Sequence, residues 1–213
     1  LRHLVEHLED GVPKIAQLVG AEGVGRKMWA AHVCAKRGRS LLCLDAPRVI
    51  KDSQLHEQLV RAEREAILQG CVLYWEHADK VPSEVWGEAP FLSPLQFFGV
   101  EQPIQLPPHA PYAEVIPFAL PTPVQAQALW RQVLPRGIGD FGDTALAERF
   151  TLTPAEIRNV ATKAIEGREA LWVACRSLSR GRLQGMATLL PCPFTWDDIV
   201  LPPDTKAHLS EIE

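Results

Sequence analysis

Apolar residues change their spacing several times along the first half of the chain, and each change marks an element. Ile15–Val19 is a short apolar run that ends in glycine. Arg26–Arg37 carries Trp29, Ala30 and Val33 at helical spacing, and Ser40–Leu44 is a short run of the buried-strand kind. Over Gln54–Leu68, the residues Leu55, Leu59, Ala62 and Ala66 fall on one stripe with charges opposite, which predicts an amphipathic helix. Gly70 ends it. Cys71–Trp75 shows no polar alternation, which predicts a central strand covered on both faces. Strand and helix thus alternate, and that order predicts a parallel sheet with covering helices.

Proline then interrupts the pattern. Ten of the 18 prolines lie between Pro82 and Pro123, where helix is disfavoured because proline lacks the amide donor and clashes with the preceding turn. One more strand is predicted within Tyr112–Leu120, and everything from Thr122 on reads as helix. Thr122-Pro123 and Thr153-Pro154 each pair an N-cap hydroxyl with proline at the first helical position. Helices are predicted over Asp143–Arg149, Pro154–Ile165 and Arg168–Ala187. A boundary near Pro121 divides an α/β part, residues 1–121, from a small helical part, residues 122–191. Residues 192–213 read as a linker entering a further helix.

Composition narrows the class. At 213 residues and 46% hydrophobic, the chain can bury a sizeable core without a disulfide or metal staple. Its formal net charge of −4 argues against a protein that coats nucleic acid. No apolar run approaches the roughly 20 residues of a membrane span, and LRHLVEHLED does not read as a signal peptide. Cys34, Cys43, Cys71, Cys175 and Cys192 are odd in number and form no CxxC pair, which excludes a zinc ribbon and fits reduced thiols in the cytosol.

The first candidate chemistry is the glycine cluster Gly20-Ala21-Glu22-Gly23-Val24-Gly25-Arg26-Lys27, set between a strand and a helix. Glycines let backbone N–H groups converge on an anion, and the helix N-terminus adds positive potential. The phosphate-loop pattern G-x-x-x-x-G-K-[ST] is matched at Gly20 and Gly25 only. Arg26 holds the lysine position, and Lys27 holds that of the hydroxyl that binds magnesium. An ammonium cannot replace that hydroxyl, so magnesium is doubtful here. Arg26 can meet phosphate with a planar fork, whereas Lys27 is expected to turn about 100° round the helix, away from the loop. The bland alternative is a glycine-rich turn with no ligand.

The second is Val72–Asp79, a hydrophobic strand running into acid, which has the form of a Walker B motif. Its usual Asp-Glu ending positions magnesium and the attacking water. Glu76 and His77 stand there, the histidine able in principle to act as a base. A solvated strand end is the alternative reading. Three other signals carry less. His3 and His7 match H-x-x-E-H on an ordinary amphipathic stripe with no third ligand indicated. Arg176, Arg180 and Arg182 read as a solvated helix face, and Phe91, Phe97 and Phe98 as packing residues.

In their order, these segments resemble the AAA+ ATPases. The resemblance runs through GAEGVGRK, CVLYWEHAD, a strand ending near Phe91-Leu92-Ser93, the strand YAEVIPFALP and a lid containing TLTPAEIRNVATKA. It is nearest to the degenerate leading module of bacterial two-module members, some associated with contractile injection systems. It implies a P-loop NTPase-like parallel sheet with flanking helices and a helical lid. It implies ATP or ADP as ligand, and as partners a following AAA+ module in the same chain, a homo-oligomeric ring and a protein substrate. Membrane and nucleic acid are not expected partners. Residue by residue, Gly20, Gly23, Gly25, Arg26 and Lys27 fall on the phosphate loop, Glu76 and His77 on Walker B, Ser93 on the first sensor and Arg158 near the second. No arginine lies between Arg64 and Arg131, the region expected to supply a neighbour's arginine finger. Three readings stay open: a degenerate nucleotide-responsive or structural ring module with weak or no hydrolysis, a nucleotide-free interaction scaffold, and an ATPase with substituted catalytic residues.

Overall fold

Strands β1 (Lys14–Val19), β2 (Leu41–Asp45), β3 (Val72–Glu76), β4 (Leu95–Val100) and β5 (Ala113–Pro117) form one sheet in the order β2-β3-β4-β1-β5. All four pairings are parallel. They come from a computed structural model, which describes residues 13–49, 55–134 and 143–181. The His3/His7 pair, Arg182, Cys192 and the expected linker over 192–213 lie outside the described residues. The sheet and the helices through Ser179 belong to one compact unit, and a second unit begins at Arg180.

Crossovers are made by helix α1 (Arg26–Ala35), the short α2 (Ala46–Val49), α3 (Leu55–Gln69) and turns over Ala78–Lys80 and Ser83–Glu88. Strand β3 lies between β2 and β4 with Val72–Trp75 buried, as its unbroken apolar run predicts. Parallel register sets every strand's C-terminal end on one edge. Val19 pairs with Val100 and Pro117, while Glu76 pairs with Asp45 and Gly99. The glycine loop after Val19 and the acid at Glu76 therefore meet at that edge, where α/β sheets place ligands.

The fourth strand differs from expectation. It does not end near Ser93; it begins at Leu95 and runs through Val100, with all six residues buried. Phe91 has φ 47°, a left-handed backbone incompatible with a strand. The Ser93 amide donates to Glu63 Oε2 at 2.7 Å rather than to a strand. Sheet pairing starts at the Pro94 carbonyl, which accepts from the Lys14 amide. Beyond β4, the proline-rich connection is held by Gln17, whose side chain accepts from the Ile104 amide at 2.8 Å and donates to its carbonyl at 2.9 Å.

One face of the sheet packs Trp75 and Phe98 against Trp86 and Leu59. The other packs Leu18, Tyr74 and Phe97 against Ala30, Val33 and Cys34 of α1. Helices α4 (Pro123–Val133), α5 (Asp143–Arg149), α6 (Pro154–Ala161) and α7 (Arg168–Gly181) form a separate cluster around Trp130, Leu146, Ile157 and Leu171. Both threonine-proline starts are capping boxes. Thr122 Oγ1 accepts from the Gln125 amide, Thr153 Oγ1 accepts from the Glu156 amide, and each partner side chain accepts from the threonine's own amide. Helix α6 ends at Ala161, short of the expected Ile165, and a 3-10 turn over Thr162–Glu166 follows. Helix α7 is described to Gly181, and the expected extension to Ala187 lies outside the described residues. No helix among the described residues is long and apolar enough to cross a membrane.

The four described cysteines are free. Burial pushes the Cys34 and Cys175 thiols from 9.0 up to about 11 and the Tyr74 hydroxyl from 10.0 up to about 12. A raised folded-state value means that the unfolded chain releases these protons first. The stability from their neutral burial is therefore complete below pH 9 and is lost as pH climbs toward 12. Urea unfolding midpoints are expected to hold steady up to pH 9 and to fall above it. A midpoint flat through pH 11 would contradict the burial of these groups.

Candidate nucleotide site

The loop after β1 is shaped by its glycines. Gly25 has φ 104° and forms the N-cap of α1, giving it no side-chain cap, and the first turn holds no acid. A left-handed cap without a Cβ leaves those amides facing outward, the arrangement that attracts anions. Gly23 has φ 84°, and its carbonyl accepts from the Ala155 amide at 3.1 Å. A Cβ there would come within 2.7 Å of Thr153 Oγ1. Glycine thus lets the capped start of α6 dock on the loop. The Gly20 amide donates to the Val100 carbonyl at 3.0 Å, tying the loop to the end of β4.

The two basic residues that follow are both engaged. Arg26, at the expected lysine position, is only 7% exposed, and its Nη1 donates to the same Val100 carbonyl. That strand-end carbonyl also accepts from Gly20, and Arg26 still lines the cleft beside the loop. Lys27 does not turn away from the loop. Its Nζ lies 2.7 Å from Oε1 and 2.9 Å from Oε2 of Glu76, joining the start of α1 to the end of β3.

His77 and Ser93 depart from their expected places. His77 has φ 57°, a left-handed turn at the strand end, and its Nδ1 lies 3.2 Å from Asp45 Oδ1. Asp45 also pairs with Arg48 at 3.0 Å. The imidazole is thus committed toward the end of β2 and does not line the cleft beside the loop. Ser93 precedes β4, so it sits at the opposite edge of the sheet from the loop, buried at 1% exposure with its Oγ unpartnered. A strand start cannot place a side chain at the phosphate edge, and the first-sensor assignment fails for that reason.

Arg158 does reach the site. From α6 it projects across to α1, where its Nη1 lies 3.4 Å from Met28 Sδ. Gly23, Gly25, Arg26, Lys27, Glu76 and Arg158 share a cleft of about 250 Å³. The lining carries Arg26, Lys27 and Arg158 against Glu22 and Glu76, a formal excess of one positive charge that favours an anion. Tyr74, another lining residue, was not singled out from sequence; its signal is a hydroxyl inside the apolar run that precedes Glu76. Trp29 leaves the cleft open, because its ring packs edge-on against Phe97 and Phe118 at 5.9 and 5.7 Å. No group of three or more His, Cys, Asp or Glu side chains able to hold a metal occurs among the described residues.

Residues 122–181 match the family model of the contractile injection system ATPase helical domain. The whole fold is similar to the FIGL-1 AAA domain, solved in complex with ADP. That likeness has a TM-score of 0.62 and 14% identity, and covers 99% of this chain and 86% of that one. No curated protein matches. With its sheet order and glycine loop, the chain has the fold of an AAA domain. Its helical part is similar to the helical domain of contractile injection system ATPases.

Proposed function

We propose that this chain is a degenerate AAA+ module that binds ADP or ATP at the loop–lid cleft and hydrolyses ATP weakly or not at all. It would serve as a ring element of a larger cytoplasmic ATPase of the contractile injection type. The observation that carries this reading is the joining of loop and lid: Gly23 takes the Ala155 amide, and Arg158 enters the same cleft. A ligand anion there would touch the helix N-terminus and the lid together, so occupancy would change how firmly the lid is held. The ADP bound by the FIGL-1 domain supports the choice of ligand class. A following AAA+ module in the same protein, a homo-oligomeric ring and a protein substrate complete the reading. In it, residues 1–121 carry the nucleotide, residues 122–191 form the lid and residues 192–213 lead onward.

Calorimetric titration of ADP and ATP tests it. Arg158 lines the cleft, and the hydrogen bond it makes there is to a thioether, a weak acceptor that a phosphate oxygen would displace. Arg158→Ala is expected to weaken ADP binding by about tenfold, the scale of one charge-assisted hydrogen bond. The scaffold reading has one observation in its favour, since Arg26 and Lys27 already have protein partners. Absence of binding heat at millimolar nucleotide would select the scaffold.

A further inference from the structure

Relatives of this fold hold magnesium between a loop hydroxyl and the strand acid, and the metal bridges to the nucleotide phosphates. The donor set here does not fit that ion. The hydroxyl position carries an ammonium, which has no lone pair to give a metal. Both oxygens of the acid are taken by that ammonium, at 2.7 and 2.9 Å. A divalent ion entering between them would meet the lysine charge directly.

We infer that the Lys27 ammonium, seated on both oxygens of Glu76, takes the bridging place of the divalent cation, so that the cleft accepts a nucleoside diphosphate free of metal. The inference rests on the nucleotide-binding reading above. An ammonium has three N–H donors, and Glu76 engages two, leaving one for a phosphate oxygen. The pair also removes a repulsion. Unpaired, the Glu76 carboxylate would face the phosphates across a cleft that has no metal to screen it. The side chains of Lys27 and Glu76 are 49% and 30% exposed, so the pair lies open to an incoming ligand rather than sealed in the core. Strand register and helix start together explain the geometry: Glu76 ends β3 and Lys27 lies in the first turn of α1, so the strand ends and the helix begins at the loop edge of the sheet.

The test titrates ADP into the 213-residue chain with excess magnesium and, separately, with chelator. Equal or tighter binding in chelator is expected. Lys27→Ala should lose about tenfold in chelator, and adding Glu76→Gln to it should recover most of that loss, because the second change removes the stranded carboxylate. The unfolding midpoint of each variant, taken alongside, separates altered binding from altered folding. Magnesium that tightens wild-type binding by about tenfold or more, or a Lys27→Ala variant that binds as wild type does, overturns the inference and leaves the nucleotide reading standing. Failure of every form to bind ADP overturns both.

Discussion

Steady-state phosphate release from ATP by this chain is expected to stay below about 0.01 s⁻¹, against the roughly 10 s⁻¹ median of enzymes. Three features of the site combine in that expectation. The cation expected to reach the transferring phosphate, Arg26, is buried on the Val100 carbonyl. The candidate base, His77, is held by Asp45 outside the cleft, away from where it would take the proton of an attacking water. The sequence between Arg64 and Arg131 offers a neighbour no arginine, and a finger is worth about 10³ to 10⁵ in related phosphoryl transfers. A colorimetric phosphate assay on the 213-residue chain measures this. Turnover near the enzyme median that falls with His77→Ala would support an ATPase with substituted catalytic residues. Turnover untouched by both His77→Ala and Arg26→Ala would contradict the site assignment itself.

Trp86→Ala is expected to destabilise the fold by about 3–5 kcal/mol. Trp86 is fully buried beneath the sheet, edge-on to Trp75 at 5.4 Å and to Phe98 at 4.8 Å. Those neighbours cannot follow a shrinking side chain. Trp75 is anchored by its indole N–H to Gln96 Oε1 at 2.9 Å, and Gln96 in turn donates to the buried Glu63 carboxylate. Both rings also belong to paired strands, so the void persists and costs packing as well as transfer free energy. Denaturant unfolding gives the number. A loss under about 1 kcal/mol would mean that the turn over Ser83–Glu88 collapses into the space, contrary to a rigid core.

Much of the architecture was legible in local sequence. The continuous apolar run at β3 requires cover on both faces, and the structure seats it between two strands. The two threonine-proline pairs start helices because each cap is completed within four residues. The glycine spacing marks the loop because Gly23 and Gly25 adopt left-handed backbone that other residues resist. Such features depend on neighbours in the chain, and sequence alone settles them. Side-chain direction at the site depended instead on partners far away in sequence. Arg26 finds its carbonyl 74 residues on, Lys27 its carboxylate 49 residues on, and His77 its aspartate 32 residues back. The start of β4 likewise followed from Phe91 in a left-handed turn and from Glu63 capturing the Ser93 amide, contacts that no periodicity records. The chain's own pattern determined that a phosphate-type loop and an acid would share one sheet edge. Only the tertiary structure decided that the acid would be closed by a lysine, because that pairing exists solely where the end of one strand meets the start of another element's helix.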